Sequence, residues 1–330
     1  MSADMNTDMN TDMTTDLTTD LTTDMSTSVG TGMGADASTS LSAGVRCLWD
    51  VGATLGEGVL WHGAARQVWF VDIKGRRLHR CAFDGGERRS WEAPGQVSFI
   101  VPVSGGGLVC ALEDGLYRFV ESDGSFVPLL KVEADLPGNR FNDGHVDAAG
   151  RLWFGSMDDA EDQASGALYR FDGSEVRRME GGYVITNGPA ISPDGRTLYH
   201  TDTLARRIHA FDLAADGGLS GKRLFAELEG GGYPDGMAVD VEGHLWVATF
   251  GGWRIDRFDR QGSKVGEVRF PCANVTKLAF GGDDLRTVYA TTARKGLSAA
   301  QLEKQPLAGA LFTFRADVPG LAQHALRMQE

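Results

Sequence analysis

A chain of 330 residues can bury a large core, as one extended all-β domain or as two ordinary ones. Its formal charge is −13, but seven of the acids lie in residues 1–44, which hold no Lys, Arg or Glu, so the rest carries only −6. The basic residues of that remainder come singly or in pairs such as Arg76-Arg77 and Arg206-Arg207, with acids nearby, which argues against nucleic acid as a partner.

No apolar run approaches the roughly 20 residues that span a bilayer, and the N-terminus has neither a basic nor an apolar leader region, so no membrane partner is expected and the protein is expected in the cytoplasm. Cys47, Cys81, Cys110 and Cys272 stand far apart and form no CxxC pair. They are expected to be buried free thiols rather than zinc ligands or disulfides.

Residues 1–44 repeat a Thr-Asp-Met/Leu theme (Asn6-Thr7-Asp8-Met9, Thr14-Thr15-Asp16-Leu17, Thr18-Thr19-Asp20-Leu21) and then pass into Ser, Gly, Thr and Ala. Too little apolar surface is available there to offset chain entropy, so the segment is expected to be disordered, with the folded domain running over residues 45–330. From Val45 onward, turns rich in Gly and Asp lead into short strands centred on an aromatic residue or Leu. The centres fall at Trp69, Leu108, Trp153, Tyr199, Trp246 and Tyr289, with successive spacings of about 39, 45, 46, 47 and 43 residues. That is the repeat length of a propeller blade. A second alternating run follows most copies, as in Leu116-Tyr117-Arg118-Phe119 and Leu168-Tyr169-Arg170-Phe171, and reads as a half-buried antiparallel strand. The only helical candidate is Ser298 to Lys304. Six near-equal repeats favour an all-β six-bladed propeller over a β-sandwich. Closure is expected to pair a strand near Arg46 to Val51 with the last one, Ala310 to Phe314.

The familiar hydrolase and nucleotide signatures are missing: no G-x-S-x-G, H-E-x-x-H, P-loop or EF-hand loop occurs. Four segments instead place polar residues in apolar or Gly-rich surroundings. They are Leu55-Gly56-Glu57-Gly58-Val59-Leu60-Trp61, Asn139-Arg140-Phe141-Asn142-Asp143-Gly144, Ile185-Thr186-Asn187-Gly188-Pro189 and Tyr233-Pro234-Asp235-Gly236-Met237. All four enter the innermost strand of a blade, and such positions converge at one mouth of the central channel. Asx-Gly and Glu-Gly pairs are also ordinary turn dipeptides, so each segment alone reads equally as a turn. Together, two carboxylates and an amide oxygen are hard ligands suited to one divalent metal in the channel, Ca²⁺, Mg²⁺ or Mn²⁺, with Fe²⁺ and Zn²⁺ acceptable.

These segments resemble the family of regucalcin (senescence marker protein), gluconolactonases and related sugar lactonases. The likeness spans Val45 to Leu326 and is carried by L-G-E-G-x-x-W, N-R-x-N-D-G-x-V-D-x-x-G-R-x-W-x-G-S-M, I-T-N-G-x-x-x-S-x-D and P-D-G-M-x-V-D-x-E-G-x-L-W-V-A. The stretches Leu55 to Trp61, Phe70 to Lys74, Tyr199 to Thr203, Asn274 to Lys277 and Thr291 to Leu297 look most like bacterial xylonolactonases and arabinonolactonases.

The resemblance implies metal-dependent hydrolysis of a sugar-acid lactone to the aldonate in sugar catabolism. A pentonolactone is the first choice, with glucono- and galactonolactone behind it. It also implies Glu57, Asn187 and Asp235 as metal ligands, Arg140 and Asn142 as substrate contacts, Asp143 behind the ligands, and one acid after the G-S-M element, Asp159 in preference to Asp158, for the sugar hydroxyls. Asp235 would serve as general base toward a water acidified by the metal. The metal is expected to be Ca²⁺, Zn²⁺, Mn²⁺ or Fe²⁺, and the protein a monomer or weak homo-oligomer. Rival readings are an aryl esterase or organophosphatase on the same scaffold and a non-catalytic metal-binding propeller. His145 and His200, though near the motifs, are assigned no role.

Overall fold

The Gly- and Asp-rich turns end where their composition places them, at the corners between antiparallel strands. The computed structural model describes residues 39–40 and 44–329. Its strands form six sheets, each a blade of four antiparallel strands, in sequence order in blades one to five, with Thr39–Ser40 added in parallel at the edge of blade five. The innermost strands, blade one to blade six, are Gly56–His62, Phe99–Pro102, Asn139–Val146, Thr186–Ile191, Tyr233–Val239 and Val275–Gly281. The all-β six-bladed propeller expected from the repeats is therefore the fold.

Blade six draws its fourth strand from the start of the domain. Arg46–Trp49 pairs antiparallel with Leu311–Arg315, with Arg46 opposite Thr313 and Cys47 opposite Phe312. Both ends of the domain are thereby fixed into one blade. The expected disorder of residues 1–44 falls outside the described residues, apart from Thr39–Ser40, which pair in parallel with Gly266 and Glu267 at the edge of blade five. Gly44 precedes the closing strand. The short helix is Ala299–Lys304, started by a capping box between Ser298 and Gln301.

Aromatic side chains at the strand centres fill the layers between blades. Trp246 meets Phe280 edge-on at 5.6 Å, Phe141 meets Phe154 at 5.2 Å, and Trp69 stacks on Trp91 at 5.4 Å. Burying each such ring stabilises the fold by about 1.5–3 kcal/mol. Two repeats also show why the turn aspartate recurs ahead of tryptophan. Asp147 accepts the backbone N–H groups of Ala149 and Arg151 and the Trp153 indole N–H, and Asp240 does the same for Glu242, His244 and Trp246. One carboxylate shapes the turn and anchors the next strand. These tryptophans are core.

All four cysteines are free; Cys81, Cys110 and Cys272 are buried, while Cys47 is half-buried, which corrects the expectation for that residue. It lies on the outermost strand of blade six, where one face meets solvent. Among the described residues no helix is long and apolar enough to cross a membrane.

One irregularity organises the channel. In blades one, three, four, five and six the innermost strand carries one residue more than its neighbour, shifting register between Glu57 and Leu60, Phe141 and Gly144, Asn187 and Ala190, Pro234 and Met237, and Val275 and Lys277. Blade two pairs regularly. Such a bulge re-aims side chains that would otherwise alternate between the sheet faces. All five lie toward the start of their strands, at one end of the channel.

A polar ring at the bulged end of the channel

The bulges bring together the polar segments singled out in the sequence. Glu57, Arg140, Asn142, Asp143, Asn187 and Asp235 all occupy that end, each between 1% and 5% exposed. Gly58 follows Glu57 with φ +55°, and a Cβ there would stand 2.8 Å from the Ser98 carbonyl oxygen, so only glycine lets blade one close against blade two.

Hydrogen bonds stitch neighbouring inner strands together. Ser98 donates to the Phe141 carbonyl at 2.6 Å, Asn142 to that of Thr186 at 2.7 Å, Thr203 to that of Pro234 at 3.1 Å and Thr276 to that of Gly56 at 2.5 Å. Part of this ring is a directed chain. Arg140 Nη1 donates to Asn142 Oδ1 (2.6 Å), Asn142 Nδ2 to Asn187 Oδ1 (2.8 Å), Asn187 Nδ2 to Thr203 Oγ1 (3.0 Å), and Thr203 to Pro234 O. A guanidinium can only donate and a carbonyl can only accept, so the two ends fix the orientation of both amides between them. The amide of Asn142 is thus largely consumed in holding Arg140 to Asn187.

Arg140 is fixed further by Phe141 O at 2.9 Å from Nη1 and by Asp159 at 2.8 Å from Nε. Its two Nη2 hydrogens have no protein acceptor among the described residues. Asp159, rather than Asp158, faces this group, and it also accepts from Lys74 at 2.5 Å and Gln96 at 3.2 Å. Asp158 instead accepts the N–H groups of Asp162 and Gln163 and shapes the loop. Over the same mouth Lys295 pairs with Glu161.

The three central carboxylates are unevenly supported. Asp143 gives one oxygen to Lys277 and the other to the Gly144 N–H. Among the described residues Glu57 accepts only the N–H of its neighbour Gly58, at 3.1 Å, and Asp235 is held by the Gly236 N–H. Burial first, and the Asp143 charge second, push the Glu57 carboxyl up to about 8. Burial, then Glu57 and Asp143, raise Asp235 well above the usual range, while for Asp143 burial outweighs the opposing pull of Lys277. Burial also lowers Arg140, against the field of Asp159. Two buried acids that no Lys or Arg pairs with directly among the described residues, only the fields of Lys277 and Arg140 acting on them, are a costly arrangement for a protein to keep.

Among the described residues no group of three or more His, Cys, Asp or Glu side chains stands so as to hold a metal. The donor set that fits one is mixed: Glu57 and Asp235, short of countercharge, and the Asn187 oxygen, whose amide nitrogen is tied to Thr203. Hard oxygen donors of this kind suit Ca²⁺, Mg²⁺ or Mn²⁺.

Sequence reading missed Lys277, Lys74, Gln96 and Thr203. Lys277 did leave a signal, a lone lysine inside the apolar run of Val275–Gly281. His145 lies deeper in the channel, where burial lowers it to about 3 and keeps it neutral; His200 is buried, and neither of its ring nitrogens has a partner among the described residues.

A cavity on this axis lies toward the other end. It encloses about 490 Å³ and runs from Asp143 and Lys277 to the far end of the inner strands, past Phe99, Met237 and Phe280 to Leu321 and His324. The C-terminal segment crosses that end, pairing at Gly320 with Asp240 of blade five and at Leu326 with Val103 of blade two.

Comparison with known proteins agrees with the motifs. Residues 55–294 match the family model described as the SMP-30/Gluconolactonase/LRE-like region. A 6-deoxy-6-sulfogluconolactonase of Pseudomonas putida is 34% identical, covering 84% of this chain and 97% of that protein. An L-arabinolactonase of Azospirillum brasilense is also 34% identical, covering 83% and 92%. The crystal structure of a calcium-binding protein, regucalcin, from Agrobacterium tumefaciens superposes with a TM-score of 0.83 at 30% identity, covering 87% of this chain and 98% of that one.

Proposed function

The chain belongs to the SMP-30/gluconolactonase/LRE-like family, and from that premise we propose that it hydrolyses the lactone of a sugar acid to the aldonate with the help of one divalent cation at the bulged mouth. The observation that carries the reading is the pair of buried acids, Glu57 and Asp235, that no side-chain cation pairs with directly among the described residues, beside an oriented Asn187 oxygen and the Arg140 guanidinium. Among the relatives, an arabinolactonase and a sulfogluconolactonase each match over more than four fifths of this chain. A pentonolactone is our first choice of substrate. A cytoplasmic setting and a monomer or weak homo-oligomer acting on a small sugar lactone complete the proposal.

The cation, held by Glu57, Asn187 and Asp235, would polarise the lactone carbonyl and acidify water. The chain's own groups divide the remaining work. Asp235 takes the proton of the attacking water on a carboxylate oxygen and returns it to the ring oxygen as the acyl C–O bond breaks. The Nη2 hydrogens of Arg140 meet the oxygen on which negative charge develops, a charge-assisted contact held in place beforehand by Asp159 and Phe141 O. Asp159 accepts from the sugar hydroxyls at the mouth, and Asn142 keeps Arg140 and Asn187 in register.

The test is acid release from xylono-, arabinono-, galactono- and gluconolactone by the chelated protein and by protein refilled with each divalent ion. Turnover of a pentonolactone that vanishes on chelation supports the reading. Faster turnover of aryl esters or phosphotriesters than of any lactone would replace it with an esterase, and ion binding without turnover of any substrate with a binding protein.

A further inference from the structure

Blade six lies across the channel from blade three, and one side chain spans the gap. Lys277 leaves the bulge of Val275–Gly281, lays its stem over Gly236 and ends on Asp143. Gly236 makes the passage: a Cβ there would stand 2.3 Å from Lys277 Cδ and 2.9 Å from Thr276 O. Both partners are almost wholly buried. Both also line the 490 Å³ cavity behind them, so the pair is a bar between that cavity and the bulged mouth.

Asp143 shares the bulged end with Glu57 and Asp235 and its charge acts on both, yet both its oxygens are taken, one by Lys277 and one by Gly144 N–H. We propose that Lys277 is a positioning residue that draws Asp143 out of the donor set, so that a cation held by Glu57, Asn187 and Asp235 keeps open positions toward the mouth for water and lactone. The inference rests on the reading of those three residues as donors. With Lys277 in place no three acids stand as a metal-holding group among the described residues; removing the ammonium frees the Asp143 carboxylate to turn toward the donors. A third carboxylate tightens the hold on a cation and fills a position the substrate needs. Ion affinity and turnover then move in opposite directions, whereas damage to the fold lowers both.

The experiment is calorimetric titration of the chelated protein with Mn²⁺ alone, alongside kcat and KM for the best lactone, in wild type, Lys277→Met, Lys277→Arg, Asp143→Asn and the double variant Lys277→Met/Asp143→Asn. Lys277→Met should bind Mn²⁺ about tenfold more tightly, through the added carboxylate, while kcat falls by at least about tenfold. The double variant should return to near wild-type affinity, Asp143→Asn alone should leave affinity within about threefold, and Lys277→Arg should keep both properties. Weaker or unchanged binding by Lys277→Met, or a large loss of affinity in Asp143→Asn, overturns the inference while the reading of the site stands. A wild-type protein that neither binds Mn²⁺ nor opens a lactone removes that reading, and the inference with it.

Discussion

The two ends of the channel differ in a way that volume alone would misread. The far end holds a cavity of about 490 Å³, but the acid that lines it there is matched: Asp147 is bound by Arg151 and by backbone N–H groups. The bulged end encloses Glu57 and Asp235, neither paired directly with Lys or Arg among the described residues, and is built on Gly58 and Gly236, where a Cβ would press on a neighbouring blade. Unbalanced charge that a fold takes trouble to keep locates chemistry better than empty space does.

Replacing the unbalanced groups breaks this contrast most strongly. On the proposed roles of Asp235 as ion ligand and base, kcat of Asp235→Ala for the best lactone should fall by at least about a thousandfold in an acid-release assay. Asn142→Ala cuts the chain between Arg140 and Asn187 and should lower kcat by about ten- to a hundredfold, equivalent to one or two lost buried hydrogen bonds, with little change in unfolding midpoint.

Gly58→Ala forces a side chain at positive φ into the Ser98 carbonyl and should cost about 1–3 kcal/mol in denaturant unfolding. The pH dependence sharpens the comparison without mutation. Glu57 rises from an ordinary 4.5 to about 8, so the folded, metal-free protein holds a proton that the unfolded chain releases. The stability this confers is full below about pH 4.5 and is lost as pH rises toward 8, and Asp235 acts in the same direction. Scanning calorimetry of chelated protein should therefore give a melting temperature that falls between pH 5 and pH 8 by a few degrees, a slope that Glu57→Gln reduces and saturating Mn²⁺ removes. At the far end, His324→Ala should change kcat by less than about twofold, as for a residue remote from the reacting groups.

The blades were legible because each is announced locally, by a Gly- and Asp-rich turn and an aromatic strand centre, and the closing pair by two apolar strands left over at the domain's ends. Glu57, Asn142, Asn187 and Asp235 were legible because a polar residue beside glycine is out of place in an innermost strand. The bulges that aim them were not, since one extra residue leaves no mark until two strands are paired. Lys277 was quoted within a likeness but given no role, because a lysine in a strand reads as solvent-facing until blade three is seen across from it. Lys74 and Gln96 sit in loops with no pattern, and the C-terminal crossing is made by backbone pairing that side-chain chemistry does not encode.

The most direct test of the account is anomalous diffraction from crystals of the wild-type protein soaked in Mn²⁺. The account predicts one strong peak at the bulged end, about 2.0–2.6 Å from oxygens of Glu57, Asn187 and Asp235, and none in the far cavity. A peak among His145, His324 and Asp147, or no peak at an ion concentration that supports turnover, would contradict it.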